Sequence, residues 1–154
     1  VTLTAEEERV LHDYLFSVEI WGLYELLFFS SCSPLLSVQL LTKYTWEMLR
    51  KSDFLQGVGK NRNMMHTLLL NAFMACIEID DFTNALYFKK QIEKNFFEEN
   101  ETYFRIVYLW AEGLLDSKQG RVEEGQRKME DAIRIFEMIG CSRSADYYRS
   151  AMEC

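Results

Sequence analysis

From Arg121 to Gly140 the chain reads RVEEGQRKMEDAIRIFEMIG, and Val122, Gly125, Met129, Ala132, Ile133 and Phe136 recur at three- and four-residue spacing. One apolar stripe on an otherwise charged segment predicts a helix packed along one side. Glu123, Glu124 and Glu130 each stand four residues before Arg127, Lys128 and Arg134. That is the favoured orientation for surface pairs, each contributing about 0.2–0.5 kcal/mol. Gly120 and Gly140 are stop signals at the two ends. The preceding segment, 101–118, is apolar on most faces. Gly113 on that segment, with Gly125 and Ala132 on the next, lies where two antiparallel helices would touch closely, joined by a tight turn at Gln119-Gly120.

The same pattern divides the rest of the chain. Thr4-Ala5-Glu6-Glu7 forms a capping box, in which the threonine oxygen accepts from the Glu7 amide and the Glu7 carboxylate returns to Thr4. The helix it opens carries Val10, Leu11, Tyr14 and Leu15 on one side. The pattern breaks over Ser17 to Gly22, and a short helix follows from Leu23 to Ser31. Pro34 forces an end or a new start. A third helix, 36–51, turns Leu40, Leu41, Tyr44, Met48 and Leu49 inward, and a linker over 51–60 holds Gly57 and Gly59. The fourth, 61–80, is apolar nearly all round in its middle, so it is covered on most sides. Asp80-Asp81 ends it and caps the fifth, 82–96, whose stripe is Ala85, Phe88, Ile92 and Phe96. A last short helix, 141–154, has Ala145, Tyr148 and Met152 inward.

An all-round apolar helix followed by an amphipathic one thus occurs twice, over 61–96 and 101–139, with Ala85 and Gly125 in equivalent places 40 residues apart. That period predicts an all-α domain of tetratricopeptide-like stacked helical hairpins, with about eight helices and no strand. The aromatic signature of the tetratricopeptide repeat is mostly absent. At 154 residues the chain is expected to form one domain over 1–154. It opens VTLTAEEER without an initiator methionine and is expected to be a piece of a longer protein.

Charge and chemistry narrow the function. A net charge of −7 with no basic cluster makes this stretch a poor nucleic-acid binder by itself. The longest apolar run, Leu23 to Phe29, is broken by Glu25 and is far too short to span a membrane. Cys32, Cys76, Cys141 and Cys154 are far apart, and His12 and His66 are isolated. Reduced thiols in a cytoplasmic protein fit that pattern, and neither a metal nor a cofactor is expected. There is no glycine-rich phosphate loop, nucleophile elbow or histidine beside a serine or cysteine motif, so no enzyme is expected. The paired carboxylates at 6–7, 80–81, 98–99 and 123–124 all fall at helix ends, where they cap and complement dipoles.

The polar residues inside the apolar helices carry more information. Asn63, Thr67, Asn71 and Glu78 fall on one narrow face of helix 61–80. A buried polar side chain costs free energy unless paired, so this face is either bonded internally or open to a groove. A carboxamide at Asn71, with Thr67 one turn earlier, offers a donor and an acceptor to an extended peptide; a tie to a neighbouring helix is the alternative. On helix 101–118 the polar stripe is Arg105, Glu112 and Asp116, whereas the 40-residue register points Tyr103, Val107 and Trp110 into the groove. Which face lines it is open at this point. The candidate peptide contacts are therefore Asn71, Thr67, Arg105, Tyr108 and Trp110, with Tyr147 and Tyr148 able to close the groove. Apolar surplus at Trp21, Phe28 and Phe29, and at Tyr147, Tyr148 and Met152, predicts a homodimer.

With these residues in view, the chain resembles the C-terminal regulatory domain of the Rgg (MutR-like) transcriptional regulators. The resemblance lies in LHDYLF (11–16), WGLYEL (21–26), LLLNA (68–72), then Gly113, Gly120, Glu124-Gly125, AIRIF (132–136) and Gly140. It implies a cytoplasmic regulator whose N-terminal helix-turn-helix, absent from this chain, contacts DNA. It further implies a tetratricopeptide-like domain that forms a homodimer and in many members binds a short secreted peptide pheromone. Only Asn71, within Leu-Asn-Ala, carries over as a peptide-backbone contact; Arg105, able to bind a carboxylate, is a lesser carry-over. The competing reading is a helical-repeat protein–protein scaffold with neither small ligand nor DNA role.

Overall fold

The computed structural model describes residues 1–52, 59–95 and 97–153. Gly57 of the expected linker, Phe96 of the fifth stripe and Cys154 lie outside the described residues. Among the described residues there are eight α-helices, one turn of 3-10 helix and no strand: α1 (Ala5–Ser17), α2 (Leu23–Cys32), the 3-10 turn (Ser33–Leu35), α3 (Val38–Lys51), α4 (Gly59–Glu78), α5 (Phe82–Lys94), α6 (Thr102–Lys118), α7 (Val122–Met138) and α8 (Ser142–Met152). The helical-hairpin architecture expected from the periodicity is the one observed. Helix α4 sits at the centre, packed against α2, α3, α5 and α6, while α7 lies along α6 and against α8.

Local chemistry explains where the helices begin. At α1 the Thr4 amide donates to Glu7 Oε2 at 2.7 Å and the Glu7 amide to Thr4 Oγ1 at 3.2 Å, the reciprocal capping box. Asp81 Oδ1 accepts from the Asn84 amide and opens α5. Ser37 does the same for α3 by accepting from the Leu40 amide, which starts that helix at Val38, two residues later than the apolar pattern indicates. The ends of α4, α6 and α7 share one geometry. Asp80, Gly120 and Gly140 have φ of 59°, 95° and 82°. The next amide bonds back five residues, Asp81 to Cys76, Arg121 to Asp116 and Cys141 to Phe136, at 2.8–2.9 Å. This is the left-handed helix stop that glycine adopts at little cost. Asp80 and Gly120 occupy it 40 positions apart, which is the repeat register seen in the backbone.

The closest packing is between α6 and α7. A Cβ added to Gly113 would sit 2.5 Å from the Gly125 carbonyl oxygen, and one added to Gly125 would sit 2.7 Å from the Ser117 amide nitrogen. Backbone therefore meets backbone. Met129, Ala132, Ile133 and Phe136 continue the seam and are buried. Each large apolar side chain buried there contributes about 1.5–3 kcal/mol, several times a surface ion pair. Next to the seam Asp116, 8 % exposed, accepts from Arg121 and from Lys128, each at 2.7 Å. Burial alone would raise its carboxyl, but the hydrogen bonds from Lys128 and Arg121 outweigh it and hold the group below the usual aspartate value.

Several sequence expectations need correction. The pairs Glu123–Arg127, Glu124–Lys128 and Glu130–Arg134 do not form among the described residues. Lys128 turns inward to the buried Asp116, and Arg134 pairs with Asp131. A buried carboxylate attracts a lysine more strongly than a solvated glutamate one turn away. Val122 is exposed, because α7 meets α6 from Gly125 onward. On α1 Leu11 and Leu15 are buried and Phe16 packs against the core, while Val10 and Tyr14 are exposed. Trp21 and Phe29 are core residues rather than surface surplus: the Trp21 Nε1–H donates to the Leu15 carbonyl at 3.1 Å and its ring packs edge-on against Phe29. The exposed apolar side chains of that end include Val10, Tyr14, Ile20, Leu23, Tyr24, Leu27 and Phe28.

Gly125→Ala should destabilise the domain. Overpacking costs about 1–3 kcal/mol, against about 1 kcal/mol gained in helix propensity. A lowered denaturation midpoint is expected; an unchanged or raised one would show that α6 and α7 can separate freely.

Candidate functional site

Helix α4 buries Met65, Leu68, Leu69, Leu70, Ala72, Phe73, Cys76 and Ile77. Its remaining face is the polar strip: Asn63, Thr67, Asn71 and Glu78 are all exposed. The alternative of an internal tie does not describe Asn71, whose carboxamide has no hydrogen-bond partner among the described residues. Thr67 is turned back on its own helix, its hydroxyl donating to the Asn63 carbonyl at 2.9 Å.

Asn71 opens onto a cleft of ≈ 360 Å³. One side is the 3-10 turn and α3, through Ser33, Pro34 and Leu41; the floor is Met74, Ala75 and Trp110; the other side is Tyr147, Tyr148 and Ala151 of α8. A second cleft shares Asn71, Tyr147 and Tyr148 and extends to Tyr103, Arg143 and Ser144. Tyr148 is buried, stacked on Phe136 and 5.0 Å from the Trp110 ring. Burial, then the neighbouring Tyr103 hydroxyl, push the Tyr148 phenol well above its ordinary pKa, so it stays neutral. Tyr147 is 68 % exposed and stands over the cleft at right angles to Tyr148. Trp110 is 3 % exposed, yet its Nε1–H has no acceptor among the described residues.

The structure separates the other two candidates from this cleft. Arg105 donates from Nε to the Glu98 carbonyl at 3.0 Å and from Nη2 to the Phe97 carbonyl, tying down the turn before α6. Tyr108 faces α5: its hydroxyl donates to Glu93 Oε1 at 3.1 Å and accepts from Lys89 Nζ at 3.2 Å. Of the two faces considered for α6, the repeat register therefore places Tyr103 and Trp110 on the clefts, with Val107 buried. The polar stripe is spent on α5, on α7 and on the preceding turn, because Glu112 pairs with Lys89 and Asp116 with Lys128. Pro34 and Arg143 were not legible as site residues. Pro34 is a helix stop and Arg143 a solitary surface cation until the fold brings both to α4.

The sequence model of the family described as "HTH-type transcriptional regulator Rgg, C-terminal domain" matches residues 1–150. The chain belongs to the Rgg C-terminal domain family. A solved structure of the SHP pheromone receptor Rgg2 from Streptococcus dysgalactiae superposes with a TM-score of 0.90 at 29% sequence identity. The match covers 97% of this chain and 56% of that one, so the Rgg domain spans little more than half of the receptor's length. A protein of Listeria monocytogenes EGD-e, provisionally described as a transcriptional regulator, shares the fold with a TM-score of 0.83 at 21% identity, over 98% of this chain and 52% of the other.

Among the described residues of this Rgg domain, no helix is long and apolar enough to cross a membrane. The described residues also contain no cluster of three or more His, Cys, Asp or Glu able to hold a metal ion. A buried ionic group instead joins the two hairpins. Arg62 Nη2 donates to Glu101 Oε1 at 2.8 Å, and His66 Nε2 stands 3.5 Å from Glu101 Oε2. His66 is 2 % exposed and wedged between the Phe97 and Phe104 rings. Burial lowers its pKa from 6.5 to about 4; Glu101 opposes that shift and Arg62 adds to it. For Glu101, burial raises the carboxyl, but the Arg62 and Glu98 hydrogen bonds more than offset it and hold the group low.

The folded state should lose stability on acidification. Below pH 6.5 the unfolded chain takes up a proton at His66, which the folded chain refuses until about pH 4. Stability therefore falls as pH falls through that window, and Glu101 protonation removes more below it. Thermal midpoints of the wild type and His66→Gln across this range should show a flatter profile for the variant. Parallel profiles would mean that His66 is protonated in the fold.

Proposed function

We propose that this Rgg domain is the ligand-sensing and dimerisation domain of a cytoplasmic bacterial transcription regulator, and that a short signalling peptide occupies the cleft along α4. The observation that carries this reading is the open polar strip on an otherwise buried helix, with the Asn71 carboxamide unpartnered at the mouth of an aromatic cleft. Such a group offers N–H donors and a carbonyl acceptor, the complement of a peptide unit. Trp110 and Tyr148 supply apolar area, and Thr67 extends the strip one turn further. The 29% identity to a pheromone receptor supports the same ligand class. A peptide that favours one arrangement of α4, α6 and α8 would shift the population of domain arrangements and bias attached DNA-binding segments. DNA contact is assigned to a segment outside these residues, in keeping with the net charge of −7.

Asn71→Ala is the direct test. Two lost backbone hydrogen bonds should weaken binding by roughly 1–3 kcal/mol, about tenfold to a hundredfold. The readout is isothermal titration with a panel of short hydrophobic peptides that includes the SHP pheromone of the Streptococcus relative. The thermal midpoint should not move, since the carboxamide is solvated. A large fall in midpoint with peptide affinity intact would reject the groove assignment.

The domain is also proposed to associate as a homodimer. The exposed apolar side chains of α1 and α2, Tyr24 at 77 % and Phe28 at 36 % among them, are larger than a solvated end helix needs. Static light scattering at micromolar concentration should give twice the 18.3 kDa chain mass. A monomer would show that the isolated domain is not the dimerising unit.

A further inference from the structure

The residues lining the two joined clefts include one acidic and one basic side chain. Glu78 lines one cleft and Arg143 the other, with Asn71 common to both. Both charges are exposed, and neither makes an ion pair with a described residue. Most other charges close to the hairpins are committed: Arg62 to Glu101, Lys89 to Glu93 and Glu112, Lys128 and Arg121 to Asp116. The residue shared by the two clefts is Asn71, whose exposed carboxamide has no hydrogen-bond partner among the described residues.

We propose that this pair of charges sets the direction of a bound peptide: the free C-terminal carboxylate lies at Arg143 and the free N-terminal ammonium at Glu78. The inference rests on the peptide reading of the cleft. Asn71 and Glu78 are seven residues apart on α4. That is about 10 Å along the helix, or about three residues of extended peptide. A short peptide with its middle on Asn71 can therefore bring one end to Glu78, and the adjoining cleft leads its other end toward Arg143. Guanidinium binds carboxylate through two parallel N–H bonds, and an ammonium pairs with a carboxylate as a point charge. A reversed peptide would set like charges together at both ends, which disfavours that orientation. The cleft thus selects peptides whose two termini are unblocked and penalises a capped peptide or an internal loop of a protein.

The test is affinity selection on the full 154-residue chain from a library of synthetic apolar octapeptides with free termini. Retained peptides are resynthesised in free, C-terminally amidated and N-acetylated forms and titrated calorimetrically. Amidation should weaken binding to the wild type about tenfold and leave binding to Arg143→Gln unchanged. Acetylation should weaken it by a similar factor and leave binding to Glu78→Gln unchanged. Both losses should shrink at high salt. Both substitutions are at exposed positions, and equal thermal midpoints verify the fold. Capped peptides that bind as well as free ones, or losses that persist in the matching variant, overturn the proposal while the peptide reading stands. If no octapeptide is retained, the peptide reading itself fails and the proposal falls with it.

Discussion

The contact between Gly113 and Gly125 governs much of the architecture. Two helices touch through their backbones there, with no room for a methyl group on either side. That approach fixes the position of α7 against α6, and α7 in turn carries Phe136, on which Tyr148 of α8 stacks. Tyr148 reaches Trp110, and together they form a wall of the cleft at Asn71. A side chain at position 113 or 125 would therefore disturb the cleft through α7 and α8, although neither glycine touches it. Asp116, held by Lys128 and Arg121 beside the same seam, keeps the two helices in register with charge-assisted hydrogen bonds.

Polar side chains along the helices divide into two kinds. Thr45 donates to the Leu41 carbonyl, Tyr108 belongs to the Lys89–Glu93 network, and Arg105 holds carbonyls of the preceding turn. These groups are satisfied within the protein and bind its elements together. Asn71 and the Trp110 indole are not satisfied by described residues, and both border the same cleft. Unmet hydrogen-bonding capacity beside apolar surface is the usual composition of a ligand site. The cleft is also built from separate units: the 3-10 turn, α3, α4, α6 and α8 all contribute. The cleft therefore borders both hairpins and the last helix at once.

Local rules in the amino-acid sequence determined the helices, their order and most of their ends. Periodicity near 3.6 residues, the Thr4–Glu7 capping box, and the stops at Gly120 and Gly140 act over a few residues and need no tertiary context. The 40-residue register was legible too, because each hairpin must bury the same faces. It left two faces of α6 open, and the structure sets Tyr103 and Trp110 of the register face beside the clefts. Asn71 stood out in the sequence because a carboxamide on an all-round apolar helix needs a reason.

Only tertiary structure decided what each polar group does. Arg105 and Tyr108 share helix α6 with Trp110, but a few residues of helical rotation turn them to the preceding turn and to α5. Lys128 chose Asp116 over Glu124 because burial strengthens the first partner and solvent screens the second. Trp21 and Phe29 became core because the chain before α2 folds back on Leu15. Pro34 and Arg143 joined the clefts from segments distant in sequence, where neither had a local signature. Side-chain partnership depends on contacts between helices, and a one-dimensional pattern specifies which face is buried without specifying what it will meet.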